Sequence, residues 1–114
     1  MKIDIQSRGF SLTDALLGYA QRRLLFALSY CSGHVNQVVI RLSDVNGPRG
    51  GADKRCHIQV VLAGIPDVVV EDTEVNLYAA IDRAIDRVRR TVVRKVDRQF
   101  TLSRQPAPLL IEAE

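Results

Sequence analysis

The segment VNLYAAIDRAIDRVRRTVVRKVDRQ, residues 75–99, decides the fold, because it carries the strongest hydrophobic periodicity in the chain. Apolar residues recur along it at intervals of three and four, which predicts an amphipathic helix with one buried face. A helical wheel places five arginines on the opposite face, within a stripe about 80° wide and about 22 Å long. These are Arg83, Arg87, Arg90, Arg94 and Arg98. Residues 75–99 therefore predict a helix that is apolar on its core side and basic on its solvent side.

Four shorter segments alternate between apolar and polar residues, which is typical of half-buried strands. They are residues 2–6, 35–43, 54–63 and 68–72. A helix is expected between the first two, from Ser11 as N-cap to about Ser29, and Thr73 is expected to cap the helix of residues 75–99. The order β-α-β-β-β-α predicts an α+β fold, in which two helices pack on one face of a four-stranded, mostly antiparallel sheet.

The length of 114 residues fits a single domain. We expect an α+β domain at residues 1–100 and a flexible C-terminal tail at residues 101–114, because Pro106 and Pro108 block a helix there. Hydrophobic residues make up 46% of the chain and charged residues 25%, which is typical of a soluble globular domain. No apolar run approaches the roughly 20 residues of a membrane helix, and the first residues lack the apolar stretch of a secretory signal.

The motifs of the common enzyme classes are absent, since the sequence has no P-loop, GxGxxG, GxSxG or HExxH. We therefore expect no catalytic activity, no cofactor and no small-molecule substrate. Four possible metal ligands, Cys31, His34, Cys56 and His57, have a spacing that fits zinc poorly, so no metal site is expected. Cys56 is instead expected to be a buried thiol. Two cysteines without a CxxC pattern favour a reducing, cytoplasmic location.

Charge is distributed unevenly along the chain, although 16 Lys+Arg against 13 Asp+Glu give a formal net charge of only +3. Residues 75–100 carry seven basic and three acidic residues, a net of +4. Residues 63–74 carry four acids and no base, a net of −4, and these acids are Asp67, Glu71, Asp72 and Glu74. We expect the acids to complement the positive N-terminal end of the helix that follows.

A row of arginines with few matching acids favours polyanion binding, because guanidinium groups bind phosphate oxygens bidentately and repel one another without a partner. A solvated helix face and a protein-binding face remain alternative interpretations. Other basic residues can extend the row into a groove between the two helices. The predicted nucleic-acid-binding set is Arg22, Arg23, Lys54, Arg55, Arg83, Arg87, Arg90, Arg94, Lys95 and Arg98.

The second half of the first helix is apolar on all sides over residues 24–28, so one sheet cannot bury all of it. Leu17, Leu25, Phe26 and Leu28 are candidates for an exposed contact surface. The alternative function is therefore a regulatory protein–protein interaction module that uses this face and the C-terminal tail. The same face is a candidate for a weak homodimer.

Two short runs resemble a known family: Ser11-Leu-Thr-Asp-Ala-Leu16 at the start of the first helix, and Tyr78-Ala-Ala-Ile-Asp82 ahead of the arginines. Together with the β-α-β-β-β-α order, they resemble the ribosome hibernation-promoting factor family, also called the ribosome-associated inhibitor or sigma-54 modulation protein family. The resemblance covers residues 2–99 and is to the family's short form, which has no dimerisation domain.

The resemblance implies that the chain binds the 16S rRNA of the small ribosomal subunit between head and body. It implies that the chain occupies the mRNA and tRNA path at the decoding centre and silences translation in slow or stressed growth. The basic positions that it implies for rRNA contact are Arg23, Arg87, Arg90, Arg94 and Arg98. It assigns structural roles to Tyr78, Ile81 and Asp82.

Overall fold

The computed structural model describes residues 1–44 and 54–104, with side chains up to residue 99. Its strands are β1 Lys2–Arg8, β2 Val35–Asp44, β3 Lys54–Leu62 and β4 Ile65–Glu74. They form one sheet in the order β1-β2-β3-β4. β1 runs parallel to β2, whereas β2 and β3, and β3 and β4, are antiparallel. The predicted four-stranded, mostly antiparallel sheet is confirmed.

Two helices cover one face of this sheet. Helix α1, Asp14–Ala27, and a 3₁₀ helix, Ser29–His34, lie between β1 and β2, and helix α2, Leu77–Arg104, follows β4. A parallel strand pair needs such a crossover, because a tight hairpin can join only antiparallel strands. The predicted α+β order is therefore confirmed, with the 3₁₀ helix as an unpredicted addition.

The core lies between the helices and alternate residues of the strands. Ile40 of β2 is opposite Ile58 of β3, which in turn is opposite Val70 of β4. Ile81 and Ile85 of α2 are completely buried in the same cluster. Burying side chains of this size contributes about 1.5–3 kcal/mol each to folding, so this row fixes α2 across the sheet.

Both predicted helix caps are wrong. Thr13 caps α1, and its hydroxyl accepts a hydrogen bond of 3.1 Å from the amide of Leu16. Ser11 lies two residues too early. Asn76 caps α2, because its side-chain oxygen accepts a hydrogen bond of 2.7 Å from the amide of Tyr78. Thr73 is part of strand β4 instead. Asn and Thr are both good N-caps, so in each case a suitable capping residue was present two or three residues after the predicted one.

Several element boundaries also differ from the prediction, and strand β1 is two residues longer than predicted. Helix α1 ends at Ala27 rather than Ser29. Strand β4 begins at Ile65, because Gly64 makes the turn with a φ of 71°, a left-handed conformation that favours glycine. Helix α2 continues to Arg104, beyond residue 100 where the tail was predicted to begin. The remainder of that predicted tail lies outside the described residues.

Candidate nucleic-acid interface

Helix α2 has the two-sided character that its sequence predicts. Its core side is buried, with Val88 and Val92 completely enclosed. The five arginines on the opposite side are all exposed: Arg83, Arg87, Arg90, Arg94 and Arg98. We call this surface the arginine row. The burial of the apolar side holds the row in one orientation, because rotating the helix would expose its valines to water.

The two arginines nearest the start of α2 are paired with acids of β4. Arg83 Nε lies 3.1 Å from Glu74 Oε2, and Arg87 Nη1 lies 3.3 Å from Asp72 Oδ2. Arg87 Nη1 also donates a hydrogen bond of 2.9 Å to the main-chain oxygen of Glu71. These positive charges are therefore balanced within the folded domain.

The expectation that the acids of residues 63–74 complement the N-terminal end of α2 is wrong. They lie on β4, where neighbouring side chains point to opposite faces of the sheet. Asp72 and Glu74 point towards α2 and meet arginines one or more turns into the helix, whereas Glu71 lies on the face without helices. Asp67 is near the other end of the strand and accepts a hydrogen bond of 2.8 Å from Gln59.

The three later arginines of the row have no such partners. Within residues 1–44 and 54–99, Arg90, Arg94 and Arg98 form no ion pair. Arg90 Nε donates only to the main-chain oxygen of Asp86, at 3.4 Å. Next to them, a shallow groove of about 400 Å³ runs along the helix and is lined by Arg89, Arg90, Val93, Arg94 and Asp97. This half of α2 is the part of the helix that can accept an external anion.

Helix α1 contributes Arg23, which is held by α2. The Asp82 carboxylate accepts hydrogen bonds on one oxygen from Tyr19 Oη at 2.7 Å and from Arg23 Nε at 3.1 Å. The hydrogen bond to Asp82 raises the pKa of Tyr19 above its ordinary value. The Tyr78 ring packs edge-on against Tyr19 at 4.9 Å between ring centres. The motif at residues 78–82 thus joins the two helices.

The remaining predicted residues do not all meet on one surface. Arg22 is exposed on α1, and its guanidinium lies over Gly18, where a Cβ would approach Arg22 Nη1 to 3.0 Å. Lys54 and Arg55 are successive residues of β3 and so point to opposite faces. Lys54 Nζ pairs with Asp44 at 2.8 Å. Lys95 is half-buried on α2.

Arg55 lies on the sheet face that has no helices, close to Arg8 and Arg41. Neither Arg8 nor Arg41 belongs to the binding set predicted from the sequence. Arg41 lies on the outward side of a predicted strand, whereas Arg8 lies beyond residues 2–6, which were predicted as the first strand. The lateral register that brings the two arginines together could not be read from the sequence.

The thiol of Cys56 is buried, as predicted, and burial raises its pKa to about 12. In the described ranges, no three His, Cys, Asp or Glu side chains come together as metal ligands. Neither α1 nor α2, as far as they are described, is long and apolar enough to span a membrane.

The chain is similar to known proteins in both sequence and fold. The family model described as "Sigma 54 modulation protein / S30EA ribosomal protein" matches residues 3–99. No match is found among the curated proteins. Among solved structures, the chain is similar to the N-terminal domain of Thermus thermophilus Protein Y, with 36% identity and a TM-score of 0.69. That match covers 82% of this chain and 98% of the other.

A ribosomal subunit interface protein from Coxiella burnetii shares the fold, with a TM-score of 0.71 at 16% identity. Its match covers 82% of this chain and 96% of the other. The family match extends over most of the chain and includes all four strands and both helices, except for a few terminal residues. The chain therefore belongs to the sigma-54 modulation protein / S30EA ribosomal protein family, a family of ribosome-associated proteins.

Proposed function

We propose that this chain binds the 16S rRNA of the small ribosomal subunit and inhibits translation by occupying the mRNA and tRNA path at the decoding centre. The family is one of ribosome-binding factors rather than enzymes, and inhibition by occupancy needs no catalytic group. The proposal includes a cytoplasmic location, where ribosomes are available to it. The observation that carries it is the set of three arginines without ion-pair partners among the described residues, Arg90, Arg94 and Arg98, on one exposed helix face.

These arginines suit the backbone of RNA. A guanidinium group donates two parallel hydrogen bonds to a phosphate, and each phosphate contact releases condensed counterions. Successive arginines at intervals of four residues lie about 6 Å apart along the helix axis. No aromatic side chain lies among them between residues 89 and 99, so stacking on bases is not part of the mechanism. The row accordingly binds RNA by its charge and shape.

The paired arginines have a smaller role in this proposal. Arg83 and Arg87 already have carboxylate partners in the folded domain, and a phosphate must compete with them. Arg23 is oriented by Asp82, which fixes its position on the α1 side of the row. Binding therefore depends most on the second half of α2.

Sedimentation with purified small subunits tests the proposal. Arg94→Glu should release the protein from the subunits, while Lys2→Glu, the same charge change at the start of β1, should leave binding intact. The three later arginines alone predict that log affinity falls against log salt with a slope of about −2 to −3. A slope near zero, or equal binding by the two variants, would overturn an interface on the arginine row.

A second candidate function is a protein-binding module. Leu25 is 50% exposed, Phe26 78% and Tyr30 72%, and these residues follow one another at the end of α1 and the start of the 3₁₀ helix. Leu28, which the sequence suggested for this surface, is buried in the core. If the chain binds ribosomal particles through a protein partner, Phe26→Ser should abolish binding to small subunits. Under the RNA proposal, the same variant should bind small subunits as well as the unchanged chain. The same variant tests the weak homodimer by sedimentation equilibrium.

A further inference from the structure

The sheet face opposite the helices carries a second basic cluster. Side chains directly opposite each other across a sheet share one face, and the register defines two neighbouring rows there. One row reads Gln6, Arg41, His57 and Glu71 from β1 to β4, and the other reads Arg8, Ser43, Arg55 and Thr73. Three arginines from three strands thus meet on a surface that the helices do not cover.

A groove of about 460 Å³ runs between these two rows. The residues lining it are Gln6, Ser7, Arg8, Arg41, Leu42, Ser43, Arg55, His57 and Glu71. Among them Leu42 is buried, so the accessible lining consists of polar side chains and main chain. Glu71 is the only acid against three arginines in this groove lining, which leaves a positive surface.

The basic side chains of the groove make few hydrogen bonds and ion pairs within the described part of the protein. Arg55 Nε lies 3.9 Å from Glu71 Oε1, too far for a hydrogen bond, and it is buried without another partner. His57 Nδ1 is also buried without a partner. Arg41 Nε makes one long hydrogen bond, of 3.4 Å, to Gln6, and neither Arg8 nor Arg41 forms an ion pair with any described residue. The exposed side chains of Arg8 and Arg41 therefore offer guanidinium donors to an arriving anion.

We propose that this groove binds the phosphate backbone of a second RNA segment, so that the domain contacts RNA on both of its faces. The proposal rests on the proposed function insofar as RNA is the partner of the arginine row. That row and the sheet groove lie on opposite sides of a two-layer domain, so one straight strand cannot follow both. The domain therefore bridges two segments of RNA.

The chemistry of the groove favours RNA over an acidic protein segment. Protein interfaces depend on buried apolar or aromatic anchors, and the exposed lining of the groove has none. Phosphate recognition by guanidinium groups needs only charge and hydrogen-bond donors, which Arg8, Arg41 and Arg55 supply. With no Phe, Tyr or Trp in the lining, the contact is to the backbone and is insensitive to base sequence.

Salt-dependent binding to purified small subunits provides the first test. Arg8→Gln and Arg41→Gln together should make the slope of log affinity against log salt shallower by about 2, because each lost phosphate contact removes about 1. Both side chains are exposed, so the fold should be retained. Lys2→Gln is on the same sheet face but outside the groove, and it should leave the slope unchanged. An unchanged slope for the double variant would overturn the proposal.

Photo-crosslinking identifies the occupant. A photoreactive side chain at position 41, within an intact small-subunit complex, should form adducts with RNA. Adducts only with ribosomal protein, or no more adducts than from position 2, would overturn the proposal. Arg94→Glu separates the two hypotheses: if it abolishes binding while the groove variants do not change it, the proposed function stands and the second contact fails. If Arg94→Glu has no effect, the proposed function itself fails.

Discussion

Asp82 on α2 binds Arg23 on α1 through a 3.1 Å contact, and the same carboxylate oxygen receives the Tyr19 hydroxyl. Two elements far apart in the chain are joined here at a half-exposed site. Asp82→Ala should lower the free energy of unfolding by about 1–2 kcal/mol, through one exposed ion pair and one hydrogen bond.

Urea denaturation measures this loss. Asp86→Ala is the matched control, because Asp86 lies one turn further along α2 and its carboxylate makes no described ion pair. An equal loss in both variants would show that helix propensity, and not the link between helices, is responsible.

Asp72 restrains Arg87, so removing its charge should strengthen RNA binding. In Asp72→Asn, Arg87 has a weaker partner and becomes free to contact phosphate, and the salt slope for small-subunit binding should become steeper by up to about 1. Asp67→Asn makes the same charge change on β4 without touching α2, since Asp67 contacts Gln59. Similar gains in both variants would mean that overall charge, and not the release of Arg87, governs the effect.

The cap of α1 can be located by two alanine substitutions. Thr13→Ala should lower the free energy of unfolding by about 1 kcal/mol, because the hydroxyl that accepts from the Leu16 amide is lost. Ser11→Ala should change it by less than about 0.5 kcal/mol, as expected for an exposed residue without that role. Thermal denaturation of the two variants should therefore rank them clearly, and the opposite order would restore Ser11 as the cap.

The buried thiols should resist alkylation in the folded protein. Burial raises the pKa of Cys56 to about 12 and raises that of Cys31, so neither forms much thiolate near pH 8. Ser32→Cys provides an exposed thiol as a positive control, because Ser32 is on the surface of the 3₁₀ helix. If Cys56 were labelled as fast in the native protein as in the urea-unfolded protein, its burial would be contradicted.

The same pKa predicts how stability depends on pH. Between 9.0 and about 12, the unfolded chain loses the proton of Cys56 while the folded chain retains it. The unfolded state is therefore favoured increasingly as the pH rises through this range, and stability present below pH 9.0 is lost. Cys56→Ala should reduce the part of this alkaline loss that belongs to Cys56, as measured by urea denaturation at a series of pH values. An alkaline loss of the same size in Cys56→Ala would assign it to other groups.

The architecture was predictable from the sequence because hydrophobic periodicity is a local property. The spacing of Ile81, Ile85 and Val88 was sufficient to identify the buried side of α2, and alternation identified the strands. Caps were harder, since Ser11 and Thr13 are both acceptable and only the final hydrogen-bond geometry separates them. The helical wheel also identified the exposed arginines of α2, but it could not show which of them form ion pairs.

The sequence could not show which residues of different helices and strands come into contact. Asp72 and Arg87 are 15 residues apart, and their contact depends on how α2 lies across β4. Likewise, Arg8, Arg41 and Arg55 come from three strands, and a shift of one residue in register would place them on different faces. Neither relationship is encoded in the local pattern of a single element.

The division of the arginine row has a consequence for how such a chain can change over evolution. Its first two members are tied to the acids of β4, so substitutions at Arg83 or Arg87 remove an ion pair of the folded domain as well as surface charge. Arg90, Arg94 and Arg98 have no described ion-pair partners, and substitutions there alter the surface alone. One helix therefore separates a half whose arginines are tied to β4 from a half whose surface charge can change without loss of the fold.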